Sequence, residues 1–264
     1  MFLPDELISK KTALSLSQRI VLLYHELRTS ASRYSYVTEA DLFKQHADLF
    51  VRLRKDNCGF GPELTFDDGH ISNYELAAPI LQSHELPAQF FITAGWTGTK
   101  VGYMGWNELR ALHEARFSIG AHGWTHRLLT HFTDEELKEE LFKSRLTLED
   151  RLGTSITTMS LPGGRYNRRV LAACAEAGYT QIYTSEPRIE AVPFGGMVGR
   201  LNILGNRQVD WMERLFEPKT RLLFSLRRKY WMKKSIRTLL GDSLYAKLWA
   251  QVNGQEPEAE DSAG

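Results

Sequence analysis

The sequence predicts an α/β domain whose parallel strands close into a barrel. About seven short apolar segments alternate with segments of helical periodicity, which favours parallel pairing through right-handed crossovers. Polar residues suited to catalysis directly follow four separate predicted strands. In (β/α) barrels the C-terminal ends of the strands share one face, and that face holds the active site. We therefore expect a single barrel domain with a site on this face.

The predicted elements follow each other regularly along the chain. Short apolar runs bounded by turn residues predict strands at 20–24, 64–66, 88–92, 117–121, 156–161, 180–184 and 197–203. Helical spacing of apolar residues predicts helices at 39–53, 72–83, 108–115, 134–152 and 168–177. A capping box at Thr133 begins the fourth of these helices, and Gly178 ends the fifth.

Composition sets limits on the class of protein. The chain has 264 residues and a net charge of +1, which suits one large core and gives no indication of a nucleic-acid partner. Its two cysteines, Cys58 and Cys174, are expected to be buried thiols because they form no disulfide framework. The first residues lack the basic and apolar regions of a secretory signal, and no stretch reaches the roughly 20 apolar residues of a membrane span. We therefore expect a cytoplasmic location.

Two adjacent carboxylates, Asp67 and Asp68, follow the predicted strand at 64–66. Such neighbours repel each other and are costly to desolvate, so the pair faces either water in a solvated turn or a cation. A second cluster, His122 and His126, favours the cation. Two imidazoles four residues apart on a tight turn can reach one metal ion, and a carboxylate from another strand completes a three-ligand set with an open position. This arrangement is typical of catalytic zinc sites.

Three segments resemble the motifs of polysaccharide deacetylases with a NodB-like domain, the carbohydrate esterase family 4 group. Thr65-Phe66-Asp67-Asp68-Gly69 matches the first motif completely. His122 and His126 match the second motif, with Gly123 in place of the usual Ser or Thr. Pro162-Gly163-Gly164 resembles the third motif.

The resemblance covers about residues 18–203 and implies a distorted (β/α)7 barrel. It also implies Asp67 as the general base and Asp68, His122 and His126 as ligands of a divalent metal. Zinc is the first expectation, with cobalt, nickel or manganese as alternatives.

The same resemblance implies a substrate groove walled by the third motif, which offers a backbone N–H to the oxyanion. Trp124, between the two histidine ligands, is a candidate to stack on a sugar face, although aromatic residues more often belong to the core. The candidate substrate-binding residues are Pro162, Gly163, Gly164, Arg165, Tyr166 and Trp124.

Two features depart from the family pattern. The arginine that usually begins the third motif and orients the catalytic aspartate is absent near Ser160, and Arg165 or Arg200 are the candidates to replace it. The histidine that acts as general acid near the C-terminal end of the barrel is also absent. Tyr24-His25 resembles the pair that supplies this acid in the permuted poly-N-acetylglucosamine deacetylases, which implies His25 as the acid. The alternative is a hydrogen-bonded histidine at a strand end.

The expected organisation is a lead-in at 1–17, the barrel at 18–216, a basic helical extension at 217–252 and a disordered acidic tail at 253–264. The stretch 219–237 contains eight basic residues and no acid among apolar and aromatic residues. Such a helix either lies peripherally on the anionic inner face of a membrane or packs on the barrel with its basic face in water.

These features predict a metal-dependent hydrolase that removes N-acetyl groups from an amino-sugar polysaccharide, such as an exopolysaccharide, an oligosaccharide or a lipid-linked glycan. Two alternatives remain open. The same metal and base would serve an O-acetyl esterase or an amidohydrolase of small amides. The missing motif residues would also suit a carbohydrate-binding protein that has lost turnover. The sequence indicates no oligomeric state.

Overall fold

The structure is a computed structural model that describes residues 18–30, 32–56, 61–217 and 220–240. Cys58 and the predicted acidic tail lie outside these ranges. The strands are β1 (Gln18–Tyr24), β2 (Glu26–Arg28), β3 (Val37–Glu39), β4 (Glu63–Phe66), β5 (Ala88–Ile92), β6 (Ser118–Ala121), β7 (Thr158–Ser160), β8 (Gln181–Tyr183), β9 (Ile189–Ala191), β10 (Met197–Val198) and β11 (Leu201–Asn202). The α-helices are α1 (Ala40–Asp56), α2 (Ala78–Ser83), α3 (Trp106–Glu114), α4 (Asp134–Leu152), α5 (Arg168–Glu176), α6 (Val209–Phe216) and α7 (Leu222–Leu240).

The main sheet has the strand order β10–β8–β7–β6–β5–β4–β1–β11, and every pairing along this path is parallel. Helices α2 to α5 each connect two neighbouring strands of this path, as parallel pairing requires. The predicted α/β class is therefore confirmed.

The segment 197–202, which contains β10 and β11, nearly closes the sheet into a barrel. Strand β10 pairs with β8 at one edge of the sheet, and β11 pairs with β1 at the other edge. Gly199 and Arg200 separate the two pieces. Taking β10 and β11 as one interrupted strand gives, within the described ranges, the seven strand positions of the predicted distorted (β/α)7 barrel. The sequence predicted this segment as one continuous strand, 197–203, and did not predict the interruption.

Two apolar clusters hold the barrel together. The larger one packs strand side chains such as Leu22 and Phe90 against helix side chains such as Leu141, and it also contains Cys174, which is buried as predicted. The smaller one consists of Val21, Phe91, Tyr183 and Val198, contributed by four different strands.

The structure contains several elements that the sequence did not predict. Strands β2 and β3 form a small parallel pair next to the barrel, and β9 pairs antiparallel with β1. Helix α6 packs against α1. The helix predicted at 72–83 begins as a π-helical turn, Asn73–Ala77, before α2.

The helix expected in the basic extension is present as α7. Leu223 is buried in the larger cluster, and Leu226 packs against it. The guanidinium of Arg227 lies 3.1 Å from Glu186, which is buried just after β8. Among the residues that the structure describes, no helix combines the length and apolar character needed to cross a bilayer.

Candidate active site and metal centre

The predicted site residues meet at the C-terminal end of the barrel. His25 follows β1, Asp67 and Asp68 follow β4, His122 follows β6, and the turn at Pro162 lies just beyond β7. A cleft of about 660 Å³ opens here and is lined by His25, Asp67, Asp68, His122, His126, Gly163 and Arg165, among others. The expectation that these strand ends share one face is therefore met.

Asp68, His122 and His126 bring three metal-ligating atoms together. Asp68 Oδ1 lies 3.3 Å from His122 Nε2 and 3.1 Å from His126 Nε2. One ligand atom from each of the three residues lies within 4.8 Å of the others. Asp67 is adjacent, with its Oδ2 atom 3.9 Å from His122 Nε2.

Left-handed backbone conformations turn these side chains into the cleft. Asp68 has φ 75° and His126 has φ 64°, both in the region that L-residues rarely adopt. Gly123, between the two histidines, has φ 78°, and a Cβ atom there would lie 2.9 Å from Glu140 Oε1. Glycine at this position thus suits the backbone better than the usual Ser or Thr would. Strained conformations of this kind cluster at functional sites.

The ring of His122 is oriented by a backbone carbonyl. Its Nδ1 atom lies 2.8 Å from the carbonyl oxygen of Ser160, so Nδ1 carries the proton and donates it. In the neutral ring, Nε2 then presents a lone pair toward Asp68. A hydrogen bond of this kind usually fixes the tautomer of a metal-binding histidine.

The chemistry of the three atoms fits a cation. A carboxylate oxygen and two imidazole nitrogens repel each other at these distances unless a proton or a metal ion lies among them. Burial acts to lower the pKa of His122, but the carboxylates of Asp67 and Asp68 outweigh it, and the pKa is raised. An acid oxygen with two imidazoles is a ligand set typical of zinc. The residues present therefore fit the expected divalent ion.

Arg200 forms a two-pronged ion pair with Asp67. Its Nη1 donates to Oδ1 at 2.7 Å and its Nη2 donates to Oδ2 at 2.8 Å. Nη2 also donates to Ser160 Oγ at 2.7 Å, and this hydroxyl donates in turn to Asp67 Oδ2 at 2.9 Å. The guanidinium lies 5.3 Å from the centroid of the Phe91 ring, at the top of the smaller apolar cluster. Both Arg200 and Asp67 are buried.

This ion pair keeps Asp67 ionised. Burial acts to raise the pKa of Asp67, but Arg200 and then His122 outweigh it, so that the pKa lies below its ordinary value. Of the two arginines considered from the sequence, Arg200 contacts Asp67. Arg165 lines the same cleft.

Glu140 on α4 holds the turn that carries the two histidines. Its buried Oε1 atom accepts hydrogen bonds from the backbone N–H groups of Trp124 and Thr125, each at 2.7 Å. The Thr125 hydroxyl donates to the same carboxylate. Ser144, one turn further along α4, donates to the carbonyl oxygen of Gly123 at 3.0 Å. Helix α4 therefore fixes the geometry of the second motif.

His25 is half-buried in the wall of the cleft. Its ring packs edge-on against Tyr36 with centroids 4.9 Å apart, and its Nδ1 atom has no hydrogen-bond partner among the described residues. Burial is the largest influence on its pKa, which is lowered although the carboxylates of Asp68 and Asp67 oppose the shift. His25 is thus placed beside the carboxylates as a mainly neutral imidazole at neutral pH.

The predicted substrate-binding residues fall into three groups. Gly163 and Arg165 line the cleft. Pro162 and Gly164 are buried beneath that wall, and the ring of Tyr166 contacts Lys234 of α7. Trp124 does not line the cleft, because its ring packs against the larger apolar cluster and below Lys143 of α4.

Sequence reasoning missed two contributors to this site. Glu140 lies in a helix with a regular pattern of charged residues, and a charged residue in such a pattern is normally expected to be exposed. The second is the inner face of α7, whose Tyr230, Lys233, Lys234 and Arg237 line the cleft. The basic composition of this segment was visible, but its place beside the site was not.

The fold and this cluster define an α/β barrel with a candidate metal centre on its C-terminal face. Residues 62–182, somewhat less than half of the chain, match the family model described as polysaccharide deacetylase.

Several curated relatives match part of the chain. YxkH of Bacillus subtilis is 29% identical over 124 residues, which cover 47% of this chain and 44% of that protein. Chitin deacetylase 1 of Cryptococcus neoformans is 28% identical over 45% of this chain and 24% of its own length. The peptidoglycan-N-acetylglucosamine deacetylase PgdA of Listeria monocytogenes is 31% identical over 40% of this chain and 22% of its own length. The matched region thus spans less than half of each of these relatives.

Solved structures share the fold over a larger part of the chain. The deacetylase PplD of Streptococcus pyogenes, solved in complex with acetate, superposes with a TM-score of 0.67 at 21% identity and covers 76% of this chain and 99% of that one. IcaB from Ammonifex degensii superposes with a TM-score of 0.61 at 20% identity, covering 75% and 95%. These likenesses extend the barrel assignment beyond the segment matched by the family model.

Proposed function

We propose that the chain is a metal-dependent deacetylase that hydrolyses N-acetyl groups of amino sugars in a polysaccharide, an oligosaccharide or a lipid-linked glycan. The observation that carries this proposal is the ionised Asp67 beside the Asp68–His122–His126 cluster in one open cleft. Deacetylases of peptidoglycan and of chitin among the relatives support N-acetylglucosamine units as the substrate class.

Asp68, His122 and His126 would hold the metal ion. A bound divalent ion such as zinc lowers the pKa of a water molecule from 15.7 to roughly 7 and polarises a carbonyl group. The carboxylate of Asp67, ionised by its pairing with Arg200, accepts the proton of the attacking water. Arg200 and Ser160 keep this carboxylate in one orientation, so its geometry costs little reorganisation during the reaction.

The turn after β7 would stabilise the oxyanion. Gly163 lies on the cleft wall with φ 62°, and a backbone N–H in this turn is the candidate donor. A preorganised donor of this kind often supplies a large share of catalysis. The products would be acetate and a free amino sugar.

His25 would protonate the departing amine. Since burial lowers its pKa, the ring has to gain its proton when the substrate is bound, from the proton that Asp67 accepts or from solvent. Its position on the cleft wall supports the acid role expected from the Tyr24-His25 pair, and this role stays a prediction.

The alternative of a binding protein without turnover loses part of its basis. It was motivated by the absent motif arginine, and Arg200, between β10 and β11, provides a guanidinium at Asp67. An O-acetyl esterase or a small-amide hydrolase would use the same metal and base, so only substrate tests separate these activities.

We also propose that α7 touches the surface of a membrane, in keeping with the expected cytoplasmic location. Four large apolar side chains on this helix are exposed: Phe224, Trp231, Met232 and Ile236. Basic residues among them favour an anionic bilayer. Co-sedimentation with vesicles containing anionic lipid should fall in Phe224→Ser/Trp231→Ser, and unchanged sedimentation would remove this proposal.

The deciding experiment measures acetate release by the zinc-loaded protein. N-acetylglucosamine oligomers are compared with acetylated sugar esters, and Asp67→Asn serves as the inactive variant. We expect release from the oligomers that is lost in Asp67→Asn while zinc stays bound. Release from esters alone would favour the esterase, and no release with zinc bound would favour a binding role.

A further inference from the structure

We propose that Asn73 is a positioning residue for His25, and that it ties the proposed acid to the chain segment that carries the proposed base. The inference rests on the proposed deacetylase function and on His25 as its acid. The structural basis is a set of hydrogen bonds between the segments 24–27 and 67–73.

The His25 ring is not oriented through its Nδ1 atom. This atom is buried, and none of the described residues forms a hydrogen bond with it. The ring packs edge-on against Tyr36, which restricts its tilt but supplies no polar contact to Nδ1. The place and direction of the ring in the cleft therefore depend on the backbone of residue 25.

Two side chains hold that backbone on either side of β2's first residue. Asn73 Nδ2 donates to the carbonyl oxygen of His25 at 2.6 Å. The Ser72 hydroxyl accepts from the N–H of Leu27 at 2.9 Å, and its oxygen lies 2.8 Å from His70 Nδ1. The bond from Asn73 is made to His25 itself, so it acts most directly on the position of the ring.

The proposed base lies on the same segment as Asn73. The backbone N–H of Asp67 donates to the carbonyl oxygen of Tyr24 at 3.0 Å. Consecutive carbonyl groups of Tyr24 and His25 are thus bound by residues at the two ends of the segment 67–73. This segment therefore fixes the acid relative to the base.

The stability of the core does not explain an amide at Asn73. The residue is fully buried, and its Oδ1 atom has no partner among the residues that the structure describes. An unpaired buried acceptor is costly, and an apolar side chain of similar shape would avoid that cost. Asn73 also begins a π-helical turn, a rare conformation that occurs frequently at functional sites. The bond to the His25 carbonyl is the contact that accounts for the amide.

The expected role is to place His25 for proton transfer to the departing amine. A shift of about 1 Å in a catalytic group can cost roughly 10²-fold in rate. Such a shift affects the chemical step and leaves the metal cluster and the cleft wall at Gly163 in place. The loss should therefore appear in kcat and only weakly in KM.

The test uses Asn73→Leu, which removes the donor and nearly keeps the shape of the side chain. With N-acetylglucosamine oligomers we expect kcat to fall about 10- to 100-fold, KM to change less than about twofold and zinc content to stay the same. The same preparation is assayed on para-nitrophenyl acetate, whose leaving group departs without a proton. Its hydrolysis should change less than about threefold, because no general acid is needed.

A double-mutant cycle shows whether Asn73 acts through His25. If it does, His25→Ala/Asn73→Leu should be no slower on the oligomers than His25→Ala alone. Ser72→Ala releases the bond to Leu27 and should cause a smaller loss with the same dependence on the leaving group. Asn107→Leu makes the same exchange at an exposed position of α3 and should match the wild type.

The outcomes separate this inference from the proposed activity. A wild type that releases no acetate from the oligomers would end the deacetylase proposal and this inference with it. With an active wild type, unchanged kcat in Asn73→Leu, equal losses on both substrates or losses that multiply in the double variant would overturn the role of Asn73 alone. If Asn73→Leu does not fold, Ser72→Ala decides by the same comparison of substrates.

Discussion

The guanidinium of Arg200 binds both carboxylate oxygens of Asp67, although 133 residues separate the two in the chain. Each N–H···O distance is below 3 Å, and both residues are buried. Ser160 bridges the pair by accepting from the arginine and donating to the aspartate. The pair therefore sets both the direction and the ionisation of the carboxylate that we propose as the base.

Replacing Arg200 by Gln should impair the protein in two ways. Activity should fall roughly 10²-fold because the base is no longer oriented. The acid limb of kcat/KM should also move to higher pH, since the effect of burial, which raises the pKa of Asp67, then loses its strongest opposition. Removing one partner of a buried ion pair should lower the free energy of unfolding by about 3–5 kcal/mol. Initial rates across pH and urea unfolding provide the measurements.

The difference in unfolding free energy between the wild type and Arg200→Gln should depend on pH. Because the pKa of Asp67 is lower in the folded than in the unfolded chain, its pairing stabilises the wild type above about pH 4 and is lost in more acidic solution. The gap between wild type and Arg200→Gln should therefore narrow in acid. Arg169→Gln, which breaks an exposed pair with Asp134, is the control. If the pH profile of kcat/KM were the same in Arg200→Gln as in the wild type, the role of Arg200 would be purely structural.

Each of Asp68→Ala, His122→Ala and His126→Ala should abolish stoichiometric zinc binding after dialysis. The affinity of the wild type for zinc should weaken as pH falls, because the carboxylates raise the pKa of His122 and protons then compete for its ring. Metal analysis at several pH values measures both effects. His113→Ala on α3 is the control, and three variants that keep one zinc each would contradict the assignment.

Glu140→Ala should weaken zinc binding about 10–100-fold although Glu140 is not a ligand. The change removes the acceptor of the Trp124 and Thr125 N–H groups, so the turn between the two histidines loses its support. Leaving these donors unpaired should also cost at least about 1 kcal/mol of stability. Glu139→Ala changes the exposed neighbour on the same helix and should match the wild type. Equal zinc affinities for the two variants would refute this positioning role.

His25→Ala should reduce kcat about 10²- to 10⁴-fold while zinc content stays at the wild-type level. The expected loss reflects the missing proton donor to the departing amine. Acetate release from N-acetylglucosamine oligomers, measured together with metal content, tests it. Activity that survives the substitution would leave the deacetylase in place and exclude His25 as its acid.

Local patterns predicted the barrel and its rim. Short-range sequence patterns determine the strand before Asp67, the strand before His122 and the helices at 39–53 and 134–152. These elements lie in the structure within a few residues of their predicted bounds. The same holds for the glycine that ends α5, since a left-handed residue there is a local requirement.

Short-range sequence patterns did not predict the contacts between segments that are distant in the chain. Arg200 was a candidate partner of Asp67, but the choice between it and Arg165 depended on a break in the last strand that has no sequence signal. Glu140 looked like an ordinary charged residue of a helix. Trp124 was favoured by its place between two predicted ligands, yet residues adjacent in sequence on a tight turn point to different sides of it.

The break between β10 and β11 makes the site dependent on the completed barrel. Arg200 lies in this break, so a partly folded chain in which β11 has not yet paired with β1 leaves Asp67 without its guanidinium. During synthesis the ribosome releases this residue after both segments that carry the proposed metal ligands. Hydrolytic competence should therefore arise last, in the same event that joins the two edges of the sheet.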